Sequence, residues 1–212
     1  LNYAVNLQAV LGDKAALFKP GEYHRLADMS SNDPTVVYVR GDHPTIKSAD
    51  DWMNSSEPLI FAATGPGSGS NTDPRFLGWA GLPTKVTLGY GGSSDAFLAV
   101  FNGEADARTN TISSSRSAYS EQIEDGMIIP ILAMKPNPVF GDLGKDGYGN
   151  ALPTAPEIIK KMKKSNEKEI LEMYEFQTAK SGHLRVFAAP PKTPPALVEQ
   201  RRVAFDKAVE DP

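Results

Sequence analysis

The stretch "FAATGPGSGSNTDP", residues 61–74, ends an apolar run and then sets glycine, serine and threonine side by side before a proline. Small residues let backbone approach a ligand closely, and hydroxyls and amides offer neutral hydrogen bonds, so such a loop suits an anion such as a carboxylate or phosphate. It is not a nucleotide-hydrolysing P-loop. The lysine required after the second glycine is missing, and Asn71 follows Ser70 instead. Nor does it match G-x-G-x-x-G, because Gly65, Gly67 and Gly69 are evenly spaced and Ser70 holds the third glycine's place. A plainer reading gives the glycines turn geometry alone, with Asp73 capping a helix begun by Pro74.

Two further segments have the same character: "GGSSD" at 91–95 and "NTISSS" at 110–115. Just ahead of the second stands Arg108, in "EADARTNT", near the carboxyl end of a predicted strand and on the same face as Asp106 by alternation. It reads either as an internal Arg–Asp pair or edge residue, or as a charged clamp for a carboxylate. Catalytic sets are absent from the pattern. His24, His43 and His183 sit in no nucleophile motif, "GSGSN" is not a G-x-S-x-G elbow, and "GDLGKDGYGN" lacks the alternating acids and closing glutamate of a calcium loop.

Composition narrows the class. Hydrophobic residues at 40% and charged residues at 23% are those of a water-soluble globular chain, and 212 residues allow one large domain or two small ones. A net charge of −4 with no basic stripe argues against nucleic acid. The run "KKMKKSNEKE" is interleaved with acids and reads as a solvated helix face. No window reaches the length of a membrane span, so no membrane insertion is expected. The opening "LNYAVNLQAV" lacks a basic n-region and a small-residue cleavage site, so a signal peptide is not expected within this chain. Zero cysteines exclude disulfides and thiolate chemistry.

The elements that must position these loops follow from periodicity. Strands are predicted in "TVVYVR", "PLIFAAT", "KVTLGY", "EADART" and "MIIPILAM", with short helices in "SADDWMN", "PRFLGWAG", "SSDAFLAVFNGE" and "SRSAYSEQIEDG" between them. That alternation predicts an α/β fold with a mostly parallel sheet, in which ligands bind beyond the carboxyl ends of the strands. For the third helix, Ser93 or Ser94 is the expected N-cap and Gly103 the left-handed stop, while Ala96, Phe97, Val100 and Phe101 form a core stripe. Residues 136–156 read as a Pro- and Gly-rich connector, followed by one or two helices, a strand in "HLRVFAAPP" and a last helix opened by Pro194 and Pro195. Ahead of the sheet, "NLQAVLGDKAALFKPGEYHRLADMS" reads as a short helix, a loop and a strand.

In order, "FAATGPGSGSN", "VTLGYGGSSDAFLAVFNGEADA" and "IPILAM" resemble the solute-binding receptors of tripartite tricarboxylate transporters, the Bug family. Tyr90 and Gly92 match its "Y-x-G-x" helix start, and Gly103 with Asp106 match its "G-x-x-D" turn. "ALPTAPEI" resembles its "P-T-x-x-E" stretch, and "VFAAPPKTPPALVEQ" its "APxxTP" segment. Arg108 and the stretch 136–150 depart from the family pattern.

The resemblance implies a periplasmic-binding-protein-like fold of two Rossmann-like lobes joined by a hinge. Residues 41–134 would make the second lobe, and 1–40 with 135–212 parts of a first lobe left incomplete at both ends. It implies no catalysis and no cofactor or metal. The function implied is capture of a small carboxylate (dicarboxylate, aromatic acid or amino acid) in the periplasm, for delivery to transporter membrane subunits. Ser68, Gly69, Ser70 and Asn71 would hold one carboxylate. Thr109, Asn110, Thr111 and Ser113 would line the opposing wall, with Arg108 adding charge and Ser30, Ser31 and Asn32 approaching from the hinge side. The rival expectation is a transferase-like enzyme that takes a phosphorylated small molecule at the same helix N-termini.

Overall fold

The computed structural model describes residues 17–28, 33–136, 151–179 and 186–210. In chain order the elements are β1 (His24–Asp28), β2 (Thr35–Arg40), α1 (Ala49–Met53), β3 (Leu59–Ala63), α2 (Gly69–Ala80), β4 (Thr84–Leu88) and α3 (Ser93–Phe101). There follow β5 (Ala107–Thr111), α4 (Ile112–Ala118), α5 (Ser120–Glu124), β6 (Ile128–Ala133), α6 (Ala155–Met162), α7 (Glu167–Ala179), β7 (Val186–Ala189) and α8 (Pro195–Glu210). They divide into two compact units, Asp33–Thr178 and Leu1–Asn32 with Ala179–Pro212.

The larger unit is built on a five-stranded sheet in the order β4-β3-β5-β2-β6. β3 pairs in parallel with β4 and β5, whereas β2 pairs antiparallel with both β5 and β6. The sheet is therefore mixed rather than mostly parallel in its pairing, with one reversed strand set among four that share a direction. The sequence hides this because "VVYV" is buried on both faces, and a continuous apolar run carries no sign of strand direction.

Alternation along the strands divides the core in two. Val37, Val39, Leu59, Phe61 and Ala107 face Trp52 of α1, Phe76 and Leu77 of α2, Ile158 and Ile159 of α6 and Ile170 of α7. Val36, Tyr38 and Ala62 face Ala96, Phe97 and Val100 of α3 and Ile112 of α4. The result is a three-layer α/β/α arrangement. A register shift between Val37 and Tyr38, opposite Pro130, turns both Ile131 and Leu132 to the first face.

Helix boundaries move at two places that matter. α2 starts before Pro74: Ser68 is its N-cap and its carbonyl accepts from the amides of Asn71 and Thr72 at 3.0 and 2.9 Å. Pro74 lies inside the helix, and Asp73 accepts from Gln177 Nε2 at 2.7 Å instead of capping. α3 is capped by Gly92, so Ser93 is its first residue and its hydroxyl is not spent on a cap. Gly103 takes φ +75° after α3, as expected, and a Cβ there would stand 2.8 Å from Arg40 Nη1.

In the smaller unit β1 and β7 pair antiparallel from His24↔Ala189 to Asp28↔Val186. α8 is tied to β1 by Arg202, whose Nε and Nη2 donate to the Arg25 carbonyl at 3.0 and 2.8 Å. Phe187 and Phe205 pack with ring centroids 5.4 Å apart. The predicted front helix and most of the 136–156 connector lie outside the described residues.

Candidate functional site

The sheet topology singles out the carboxyl ends of β3 and β5. These strands are parallel neighbours, yet α2 leaves β3 for one face of the sheet while α4 leaves β5 for the other. Such a divergence at the strand ends marks the general ligand-binding position of open α/β sheets.

The first segment is the loop after β3. Ser68 Oγ donates to the Gly65 carbonyl at 2.7 Å and lies 2.9 Å from Ser70 Oγ, which accepts from the Thr64 amide at 3.3 Å. Asn71 Nδ2 donates to the Pro66 carbonyl at 2.6 Å, and Asn71 Oδ1 accepts from Arg75 Nε at 2.7 Å. Ser68, Gly69, Ser70 and Asn71 are thus brought together as one hydrogen-bonded turn at the start of α2, with Ser70 and Asn71 buried. Its polar groups are preorganised on one another.

The second segment is the end of β5. Here "ARTNT" is strand rather than loop, so its side chains alternate between faces. Thr109 is opposite Val37 and its Oγ1 is buried without a hydrogen bond. Asn110 donates through Nδ2 to Ser115 Oγ at 3.0 Å. Thr111 caps α4, its side chain accepting from the Ser114 amide at 3.4 Å. Ser113 is held by Asp33: its amide donates to Asp33 Oδ1 at 3.1 Å and its hydroxyl to Asp33 Oδ2. A carboxylate of the chain itself therefore sits on the start of α4. Ser30, Ser31 and Asn32 lie outside the described residues, as does His183.

Arg108 is 4% exposed. Its Nη1 donates to the Ala62 carbonyl at 3.3 Å and its Nη2 to Ser93 Oγ at 2.9 Å, with the guanidinium carbon 5.4 Å from the Phe97 ring centroid. Nε has no acceptor. The Arg108–Asp106 pair that alternation allows does not form: Asp106 Oδ2 accepts from the Ile60 amide at 3.0 Å and Oδ1 lies 3.8 Å from His43 Nε2. Among the described residues no carboxylate pairs with Arg108. Burial pushes its pKa down, with Tyr119 opposing the shift, but an arginine stays charged near neutrality.

Tyr38, directly opposite Arg108 across β2 and β5, is fully buried. Its hydroxyl makes no hydrogen bond of good geometry, although Ser115 lies close enough to moderate its ionisation. Burial, with a smaller push from the Asp33 charge, drives the phenol up to about 12, so it is a neutral donor. Lys135 also feels Asp33, which opposes the downward shift that burial imposes on it.

Asp33 and Tyr38 escape the sequence reading, which places Ser93 only as a helix cap and Ser115 only within a hydroxyl-rich segment. Asp33 meets Ser113 across 80 positions and Arg108 meets Ser93 across 15. Only the order of the strands brings them together. Among the described residues no group of three or more His, Asp or Glu could hold a metal ion, and no helix is long and apolar enough to cross a membrane.

No family model matches the chain, and no curated protein does. Solved structures do. The periplasmic binding protein BugD superposes with a TM-score of 0.57 at 14% identity, over 99% of this chain and 76% of its own. MatC from Rhodopseudomonas palustris, solved with bound malate, gives 0.53 at 15% identity over 97% and 76%. An R. palustris protein solved with adipate gives 0.50 at 13% identity over 91% and 70%. The chain therefore carries the α/β fold of periplasmic binding proteins, in the form shared by BugD and MatC.

Proposed function

We propose that the chain is a non-enzymatic solute-binding protein. It captures a small carboxylate outside the cytoplasm for a transporter of the tripartite tricarboxylate type. The observation that carries this reading is the cluster of neutral hydroxyls and amides at the carboxyl ends of β3 and β5, on a fold shared with MatC, which was solved with bound malate. The proposed contacts are Ser68, Gly69, Ser70 and Asn71 on one side and Thr109, Asn110 and Thr111 on the other. Ser113 joins them once its bond to Asp33 is exchanged for one to ligand. Neutral donors suit a receptor, because they hold an anion reversibly and make release to a transporter cheap.

The test is a thermal-shift and calorimetry panel of dicarboxylates, aromatic acids and amino acids on the full chain. One or more acids should raise Tm, since a ligand that binds only the folded state stabilises it by about 2.7 kcal/mol at a hundred times Kd. Ser70→Ala should weaken that ligand by roughly tenfold, the loss of one hydrogen bond of about 1 kcal/mol plus the disturbed Thr64–Ser68 turn. Indifference of Tm and heat to every acid sinks the reading.

A further inference from the structure

A groove of about 390 Å³ opens at the far end of the larger unit's sheet from the hydroxyl-rich segments. β2 runs against β5 and β6, so its last residue, Arg40, stands at their amino ends, paired with Ile128 and bonded through its amide to the Asp106 carbonyl at 2.9 Å. Val100 and Phe101 of α3 and Met127 ahead of β6 give the groove apolar lining, and Met127 is 49% exposed. Its shape is fixed by backbone: the Gly41 amide donates to the Met127 carbonyl at 2.7 Å, and a Cβ on Gly41 would run into the Gly126 carbonyl. The nine-residue α3 ends here, which brings the negative end of its dipole, and neither α3 nor α5 carries a basic residue in its last turn. The cations nearby are already engaged. Arg40 gives Nε and Nη2 to Asp42 at 2.6 and 2.9 Å, and Lys47 donates its ammonium to the Gly41 carbonyl. Asp125 lines the groove with Glu124 just before it; both are exposed, and among the described residues neither carboxylate has an ion-pair partner.

We infer that this groove is a docking surface for an arginine-bearing segment of a partner protein, separate from the proposed solute contacts. Apolar lining and unanswered negative charge stand side by side, and an arginine matches both. Its methylenes cover Val100, Phe101 and Met127, while its planar guanidinium presents two N–H groups to the Asp125 carboxylate beside the end of α3. A lysine fits less well, because its compact ammonium is more strongly hydrated and cannot bind a carboxylate in the same forked way. The openness of the groove favours a protein over a free cation. Met127 is half exposed and the Asp42 side chain 76% exposed, so a small molecule would keep much of its surface in water. Residues flanking an arginine in a chain cover that rim instead.

Magnetic resonance titration of the full chain with acetyl-leucyl-arginyl-leucinamide tests it, beside the citrulline counterpart, which is neutral and nearly the same shape. The arginine peptide should shift the amides of residues 100–103 and 124–127, and bind roughly 5- to 20-fold tighter than the citrulline peptide through the carboxylate and the helix end together. Asp125→Asn should lower that preference by about threefold or more. Met127→Ser should weaken both peptides alike, by about threefold or more, through lost apolar contact. Both side chains are exposed, so the fold tolerates either change. Equal binding of the two peptides overturns the proposal, as does a preference that Asp125→Asn leaves unmoved or an affinity that Met127→Ser leaves unmoved. Failure of the arginine peptide to shift these amides at millimolar concentration, or shifts spread evenly over all acidic surface, also overturns it. Agmatine, a free guanidinium, binding as tightly as the arginine peptide makes the groove a small-cation site and overturns the docking surface.

Discussion

Asp33 shows how a single residue shapes the end of β5. It lies just before β2, which runs against β5, so its carboxylate arrives at the start of α4 and takes both donors of Ser113. Asp33→Ala leaves a backbone amide and a hydroxyl without their acceptor, and should cost about 1–3 kcal/mol in urea denaturation. A loss under about 0.5 kcal/mol means that solvent replaces the carboxylate at no cost. His43 offers a second test, by pH. Its Nδ1 accepts from the amides of Ile46 and Thr45 at 3.0 and 3.3 Å, so the neutral ring carries its proton on Nε2, towards Asp106. Burial lowers its pKa first, Arg40 and Lys47 lower it further, and Asp106 and Asp42 oppose the shift. Because the unfolded histidine then binds protons more readily than the folded one, stability falls as pH drops through about 6.5 and levels off below the folded value. His43→Gln should flatten that segment of the stability profile between pH 7.5 and 5.5, and an unaltered slope assigns the pH dependence to other groups. Neither residue draws notice in the sequence. His43 reads as a turn residue between Asp42 and Pro44, and Asp33 as one polar residue before a proline.

At the scale of elements, what was legible was what periodicity records. The strands at 35–40, 59–63 and 128–133 appear where apolar runs predict them, and the stripe Ala96, Phe97 and Val100 is core as its spacing implies. What was not legible depends on partners. The reversed direction of β2 is set by pairing with β5 and β6, and the early start of α2 by Ser68, whose role the Pro74 signal obscured. α6 carries a local signal that the sequence reading matched only as a family stretch: Thr154 and Glu157 stand at capping-box spacing, and the Thr154 amide and hydroxyl donate to Glu157 Oε2 at 2.7 and 2.9 Å. Those bonds hold the Glu157 carboxyl below its ordinary range. Ile158 and Ile159 then pack into the sheet, so the cap fixes where α6 begins relative to the core. Thr154→Ala should cost about 1 kcal/mol in chemical denaturation with an unchanged m-value. A change in m would mean that α6 frays from the sheet rather than merely losing a cap.

For the whole molecule, the two units differ in what holds each together. In the larger one, strands buried on both faces sit between two apolar layers, with Trp52 wholly enclosed and its indole N–H donated to the Pro83 carbonyl at 2.7 Å. In the smaller, the described buried apolar residues are Val186, Ala189 and Val198, while Phe187, Val203 and Val209 stand open to solvent. Opening free energy follows buried apolar contact, so amide exchange should be strongly graded. Amides of β2, β3, β5 and β6 should exchange slowest, through global opening of the larger unit. Those of α8, anchored by Val198 and the Arg202–Arg25 bonds, should exchange orders of magnitude faster and without dependence on the stability of the sheet. A carboxylate seated at the ends of β3 and β5 would slow exchange in the first turns of α2 and α4, which begin at Gly69 and Ile112. Protection of α8 equal to that of β2 in the unliganded chain would mean that the smaller unit opens only with the larger, and that the contacts within α8, β1 and β7 understate what holds it.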